Sequence, residues 1–514
     1  MRALRIISII LLFAFFASLL IHSLNSINQD IGRHIKSGQI IWETKQVYKI
    51  NLFSFTEPNN PFINHHWLSE VVFYGLANVI GLKGVILFKT AIILLALGLL
   101  LSSVYSKTDL WPLALSSIIG FLVFIERTDV RPEIFSYVFL AFFLFAIFRA
   151  KYAQTLDVAN KKWLYALPFI QIFWTNMHIY FALGPILLLF FLIDRFFEKR
   201  ESFKDTALVF IATSAATLLN PNFIKGALVP FNILRHYGYS IVENQNIFFL
   251  RDYEISLQSI NIFQVSLIIL LISFIIAFHN GRKKITFELL TASFMSILGV
   301  EMLRNFGIYA LTFIPIVALN LSTLTFITTR RVVSPQMSRI SKIGLIAFSA
   351  LMVFLIFNVV SNNVYGWLES PNRFGLSLPN GAEKGVDFIK QNRVEGPVFN
   401  NFDVGSFLIW KLYPEQKVFV DGRPEAYTVD FFEKVYKPMQ ESPELWKKYS
   451  EKYKINYIFF DYKDITPWAQ KFLSTISRNP LWPIVYLDES TVIFLKRMPE
   501  NQRLIDKFEI KTTR

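Results

Sequence analysis

Long apolar runs recur through the first 361 of the 514 residues, separated by short basic or mixed-charge stretches. A run of about 18 or more residues without charge is long enough to cross a hydrocarbon core as a helix. The pattern predicts about eleven such helices, over 5–24, 84–105, 111–126, 133–149, 163–176, 179–194, 206–220, 260–279, 285–303, 306–328 and 343–361. The third, fifth and seventh are short for a span. Two stretches interrupt the early part. Residues 25–66 are polar, and 67–81 (WLSEVVFYGLANVIG) are apolar but short, with a carboxylate near their start. We read the first as an outer loop and the second as a helix lying on the outer surface.

After residue 361 the pattern changes. Pro, Gly and charge rise, and strand-like runs appear at 418–422 (VFVDG), 455–462 (INYIFFDY) and 491–496 (TVIFLK). They alternate with helical stretches near 382–391 and 429–451, the pattern of a small α/β domain. The expected fold class is a polytopic α-helical membrane protein with a C-terminal extracytoplasmic α/β domain, divided as 1–361 and 362–514. No internal repeat or low-complexity segment is evident.

Charge orients this arrangement. The loops at 149–162, 195–204, 281–284 and 330–342 hold clusters of Lys and Arg. Short basic loops stay on the cytoplasmic side. With an odd number of spans the N-terminus is then cytoplasmic and residues 362–514 lie outside the cytoplasmic (inner) membrane. Counting 67–81 as a full span would move the first basic loop outside.

Composition adds exclusions. Hydrophobic residues make up 53% of the chain and charged residues 18%, below the quarter usual in soluble domains. The 53 Phe and 20 Tyr suit a lipid-facing protein. The net charge of +14 sits in loops rather than in a stripe, so nucleic acid is not an expected partner. Absence of cysteine excludes disulfides, thiolate catalysis and Cys–zinc sites. Arg2 and Arg5 ahead of an apolar run look like a signal peptide, but no small-residue cleavage site follows, and an uncleaved helix is expected.

The unusual polar residues collect in the expected outer turns. They include Asp30, Arg33, His34, Asn64, His65, His66 and Glu70 in and after the first loop. The second loop, ERTDVRPE, holds Glu126, Arg127, Asp129, Arg131 and Glu133. Asn176 and His178 mark a third turn, Glu243, Arg251, Asp252 and Glu254 a fourth, and Glu301, Arg304 and Asn305 a fifth. Ionisable groups at membrane depth are costly and usually functional. Their convergence predicts a polar cavity for a charged headgroup or an ion. Ordinary structural roles exist for each: Asp30 as a helix terminator or cap, Asp129 as an ion-pair partner of Arg127 and Arg131, His178 as a turn residue, Arg304 as a snorkelling anchor.

DIGRHIKSGQII at 30–41, ahead of NHHWLSEVV at 64–72, resembles the first outer loop and surface helix of the GT-C superfamily of membrane glycosyltransferases. The resemblance places Asp30 at the catalytic position. RTDVRPE at 127–133 falls where the oligosaccharyltransferase branch keeps a second acidic motif, with Asp129 as the match. GPVFNNFDVGSFLIWKLYPEQKVFVDGRPEAY at 396–427 resembles that branch's Trp-Trp-Asp-Tyr-Gly segment. Here the pentapeptide reads Asn401-Phe402-Asp403-Val404-Gly405. Asp403 and Gly405 match and both tryptophans, which help read an N-glycosylation sequon, are replaced.

The resemblance implies an inverting glycosyltransferase. It would move a sugar or oligosaccharide from a polyprenyl-phosphate-linked donor to a glycan, lipid or protein acceptor on the outer face, in cell-envelope glycan biosynthesis. A carboxylate suffices as base when the leaving group is already a phosphate. Asp30 and Asp129 are the catalytic candidates, and the same two are the candidate ligands if a Mg2+ or Mn2+ ion is used. Arg304, Arg127 and Arg131 are the candidate donor-phosphate partners, because a guanidinium matches phosphate oxygens bidentately. Candidate substrate contacts are His34, His65, His66, Glu70, Asn176, His178, Asp403, Asp421 and Arg423. Two other readings stand beside this one: a transporter or flippase for a lipid-linked substrate, and an inactive GT-C-derived binding or assembly protein.

Overall fold

A computed structural model describes residues 2–24, 30–153, 158–198, 202–232, 236–329, 335–378 and 382–511. The chain forms two compact units. One comprises Met1–Ser23, Lys83–Pro230 and Ile241–Ser377; the other comprises Leu24–Leu82, Phe231–Ser240 and Leu378–Arg514.

The first unit is helical. Among the described residues, eight helical segments are long and apolar enough to cross a membrane: Ala3–Leu20, Trp67–Lys107, Leu110–Arg127, Glu133–Tyr152, Ile179–Phe197, Leu257–His279, Leu303–Leu324 and Lys342–Val360. Three shorter apolar helices, Leu167–Met177, Phe203–Ala216 and Thr286–Glu301, stand where the other expected spans were placed. The chain is a multi-pass membrane protein. Its helices differ in surroundings. The Leu303–Leu324 segment is 83% buried and Lys342–Val360 only 22%, so the first is a central helix and the second presents most of its surface outward. Of the basic loop residues, Lys199, Arg200, Arg330 and Arg331 lie outside the described residues.

The first helices are α1 (Arg2–Leu20), α2 (Ile31–Thr44), α3 (Trp67–Val104), α4 (Leu110–Phe124) and α5 (Glu133–Tyr152). The expected surface helix and second span form one run in α3, broken at Gly81 (φ 67, ψ 176). Only glycine adopts that backbone readily, so the break falls where the sequence permits it.

The second unit is built on a four-stranded sheet of order β1-β2-β4-β3: β1 Val398–Asn400, β2 Tyr457–Asp461, β3 Ile484–Leu487 and β4 Thr491–Leu495. β1 and β2 are parallel; β4 is antiparallel to both β2 and β3. Side chains alternate across the pleat. Ile458, Phe460, Val492 and Phe494 join a core with Phe419, Trp446 and Phe472. Tyr457, Phe459, Ile493 and Leu495 join another with Val386, Phe407 and Leu408. Both faces are therefore covered, which explains why these strands read as continuous apolar runs.

Two local expectations fail here. Residues 418–422 form no strand. Their backbone meets the first loop in a single bridge, Ser54 to Val418, while the Phe419 N–H donates to Asn400 Oδ1 at 2.9 Å. Residues 31–44, read as loop, form helix α2, which buries Ile31, Ile35, Gly38 and Ile41 at helical spacing.

Candidate functional site

In the second unit, the segments at 30–72 and 396–427 fold onto each other. Asn51 Nδ2 donates to the Ala426 carbonyl at 3.1 Å, and Thr56 Oγ1 to that of Phe419 at 2.9 Å. Gly32 faces Trp410, so that an added Cβ would stand 2.9 Å from Trp410 Cβ. This brings Asp30, just before α2, against the helix Phe402–Leu412.

Asp30 has a left-handed backbone (φ 55, ψ 4), a region that Asp tolerates better than most residues. Its Oδ1 accepts a 2.5 Å hydrogen bond from Ser406 Oγ. A Cβ on Gly422 would stand 2.7 Å from the same oxygen. Oδ2 faces Arg33 Nη2 at 4.0 Å, and the side chain keeps 26% of its surface exposed. One carboxylate oxygen is thus fixed by a neutral donor, and the group still reaches solvent.

Behind it lies a buried charge network. Arg33 Nη1 is 3.6 Å from Glu70 Oε1. The His34 Nδ1–H donates to Glu70 Oε1 at 3.0 Å, and Asn64 Nδ2 donates to Oε2 at 2.6 Å. Burial and then the Arg33 charge lower the His34 pKa, so the ring is neutral and its Nε2, 3.4 Å from Arg33 Nη2, is an acceptor. The His66 ring lies edge-on to His34 and close against the His65 ring.

Asp421 and Arg423 form a bidentate pair at 2.6 and 2.8 Å, both buried. Tyr427 OH donates to Asp421 at 2.8 Å and Arg423 Nη2 to Asn51 Oδ1 at 3.0 Å. Burial works against the Asp421 charge, but Arg423 outweighs it and holds the carboxyl below its ordinary range. The pair ties the VDGR segment to the first loop. Asp403 is exposed on the first turn of its helix. Of the residues replacing the two tryptophans, Phe402 stacks on Tyr239 at 4.1 Å, and Asn401 Oδ1 accepts from the Asp461 N–H at 3.0 Å.

In the first unit the three arginines expected at the donor phosphate converge on one carboxylate. Arg127 grips Glu133 bidentately at 3.1 and 2.8 Å and also binds Glu243. Arg131 Nη1 donates to both Glu243 oxygens at 2.8 Å. Arg304 Nη1 donates to Asn244 Oδ1 at 3.0 Å, and its Nε is buried with no hydrogen-bond partner. Burial opposes the charge on Glu243, but Arg127, Arg131 and Arg304 together hold its pKa far below the ordinary carboxylate value.

Asp129 Oδ1 accepts from Asn372 Nδ2 at 3.4 Å, and its charge acts on His22 and Lys89. Lys89, buried in α3, donates to His22 Nε2 at 2.9 Å, and the His22 Nδ1–H donates to the Ser23 carbonyl at 3.0 Å. Asn176 donates to the Ile172 and Leu219 carbonyls, and His178 bonds Ser136 Oγ at 2.9 Å; both hold turns.

Sequence reasoning assigned no role to Ser406, His22 or Lys89. Only Lys89 carried a signal, as a single lysine inside an apolar run. Among the described residues no three His, Asp or Glu side chains converge as a ligand set.

No protein-family model matches the chain, and no curated protein matches it. Solved structures do. Archaeal oligosaccharyltransferase AglB from Archaeoglobus fulgidus, in complex with an inhibitory peptide and a dolichol-phosphate, is 11% identical with a TM-score of 0.63, over 96% of this chain and 74% of that one. ArnT from Cupriavidus metallidurans, bound to undecaprenyl phosphate, is 12% identical with a TM-score of 0.51, over 96% of this chain and 98% of that one. A further AglB structure, a complex with Zn and sulfate, has a TM-score of 0.57 at 11% identity over 95% of this chain and 73% of that one. The chain has the fold of these solved structures.

Proposed function

We propose that this GT-C-fold chain is a glycosyltransferase, moving a sugar from a polyprenyl-phosphate-linked donor to a hydroxyl acceptor on the outer face of the cytoplasmic membrane. The observation that carries the reading is Asp30. It is a strained, partly exposed carboxylate with one oxygen pinned by Ser406, leaving the other to act. In the reaction the acceptor oxygen attacks the anomeric carbon, the bond to the donor phosphate breaks, and the acceptor proton passes to Asp30. Attack opposite the leaving phosphate inverts the anomeric centre. The leaving group departs as an anion and needs no general acid.

The arginine group of the first unit is the candidate for the donor phosphate. Arg304 is the residue of choice, because Arg127 and Arg131 already hold carboxylates. These roles are tested separately: Asp30 should govern kcat, and Arg304 donor affinity. The acceptor is read as a hydroxyl and not a sequon asparagine. Phe402 is packed into its own domain and Asn401 is engaged there, so neither offers the indole surface of the sequon-reading segment. No step is routed through a metal, since no ligand set gathers among the described residues.

The test is glycan profiling of a deletion strain complemented with wild type or Asp30→Asn at equal membrane abundance. Wild type should restore the missing glycan residue, and Asp30→Asn should restore roughly 10²–10⁴-fold less per molecule. Full restoration by the variant removes Asp30 as the base. A missing glycan residue on deletion, with lipid-linked sugar stranded on the cytoplasmic leaflet, points instead to a flippase.

A further inference from the structure

A second polar feature of the first unit is unrelated to the arginine group. A cavity of about 590 Å3 is lined by α1, α3, α4 and the end of α5. Leu12, Phe13, Leu101 and Leu113 give it apolar walls. Gly98 also lines it, and a Cβ added there would meet nothing within 4 Å. The cavity has the size of a small-molecule site.

Its charged lining is entirely basic: Lys107 and Arg149, with no carboxylate among the lining residues. Neighbouring cations are spoken for. Lys151 is paired with Asp194 and Glu288 at 2.5 and 2.7 Å, and Arg282 with Glu288 at 3.0 Å. Lys107 and Arg149 have no carboxylate partner among the described residues, and Arg149 rests over the Phe145 ring at 5.4 Å.

Position decides what the cavity meets. α5 begins at Glu133, which Arg127 grips, and reaches the cavity through Arg149 and Tyr152. Its 20 residues span about 30 Å, the thickness of a hydrocarbon core. α4 runs the same course, with Leu110 and Leu113 at the cavity and Arg127 past its other end. The cavity therefore opens on the leaflet opposite the arginine group.

We propose that this cavity binds an anionic phospholipid of that leaflet, with an acyl chain against α1, α3 and α4 and the phosphate on Lys107 and Arg149. A basic pocket between membrane helices recognises such a headgroup by charge and its chain by apolar contact.

Native mass spectrometry of the full-length protein, titrated with phosphatidylglycerol and with phosphatidylethanolamine of the same chains, tests this. Wild type should bind phosphatidylglycerol more tightly, and the preference should shrink with salt. Lys107→Gln with Arg149→Gln should weaken phosphatidylglycerol about fivefold per cation and leave phosphatidylethanolamine unchanged. Gly98→Phe should abolish binding of phosphatidylglycerol with both charges intact. Both cations are exposed, so the double variant should fold, which an unchanged Tm verifies. Equal affinity for the two lipids, or full phosphatidylglycerol affinity in either variant, overturns the proposal. So does undecaprenyl phosphate displacing phosphatidylglycerol from wild type, which would make the cavity a donor site.

Discussion

The Oδ1 oxygen of Asp30 is held by neighbours that carry no charge, while Oδ2 faces Arg33. Ser406 donates to Oδ1, and Gly422 leaves room for it. A methyl at Gly422 would stand 2.7 Å from Oδ1, inside contact distance, and the carboxylate must shift. A displacement near 1 Å at a reacting group costs about 10²-fold in rate. Gly422→Ala should therefore lower kcat by roughly that factor while Tm changes by a few degrees at most. Equal kcat in purified wild type and variant would mean that the carboxylate position is not critical. Ser406→Ala removes only the donor and should have a smaller effect, on the order of tenfold. Asp30 was legible because a lone acid directly after an apolar run is a local signal. Ser406 was not, because its role depends on a contact spanning 376 positions of sequence. Gly422 was legible only as part of a strand-like VDGR run, and the structure forms no strand there.

At the scale of elements, the spans were readable because hydrophobicity is counted locally. What joins them was not. Lys151, Arg195 and Arg282 look in sequence like solvated loop cations. In the structure Lys151 and Arg195 both bind Asp194, and Lys151 and Arg282 both bind Glu288. The two acids belong to distant helices, and Lys151, which binds both, is far from either in sequence, so no local window pairs it with them. Removing one partner of a buried pair leaves the other charge uncompensated, at about 3–5 kcal/mol. Lys151→Met should accordingly lower Tm in detergent by many degrees, whereas Arg149→Gln, two residues away and exposed, should leave it nearly unchanged. Helix α2 was missed for another reason. Its apolar stripe is narrow and mixed with His34, Lys36 and Gln39, so polarity masked the period. The end of α1 gives a pH-dependent prediction. Burial, and then the Lys89 charge, lowers the His22 pKa to about 4 from 6.5, so folded His22 is neutral where the unfolded residue takes up a proton. Its contribution is complete above pH 6.5 and is lost as pH falls toward 4, at about 1.4 kcal/mol per pH unit. Between pH 7.5 and 5 the Tm of wild type should fall, and it should fall less steeply in His22→Asn. Some slope will remain, because the lowered His34 pKa acts in the same direction. Parallel slopes in the two proteins would show that His22 does not titrate this way.

For the whole molecule, the outer-face reading rests on charge counting, and the buried ion pairs bear on it. Lys151, Arg195 and Arg282 are neutralised after folding, so a net-charge argument would discard them. Orientation, however, is set as the chain inserts, by Lys and Arg near the span ends, and acids contribute little. The buried pairs therefore do not change the count, and the number of passes is odd if all three of the shorter apolar helices cross or only one of them does. That condition is the weak joint, because at 11, 14 and 16 residues they are shorter than the roughly 20 a hydrocarbon core asks for. Any one of them failing to cross would reverse everything after it. The chain has no cysteine, so single substitutions read this out directly. Lys283→Cys lies in an expected cytoplasmic loop and Lys463→Cys in the C-terminal domain, both at exposed positions. With a membrane-impermeant maleimide on intact spheroplasts, Lys463→Cys should label at once and Lys283→Cys only after lysis. The opposite pattern would put the C-terminal domain, and Asp30 with its partner Ser406, on the cytoplasmic side, and the outer-face transfer reaction would have to be abandoned. Labelling of neither until lysis would instead locate the failed crossing between residues 283 and 463, in a stretch where the count admits only the helices Thr286–Glu301, Phe306–Thr329 and Pro335–Val360.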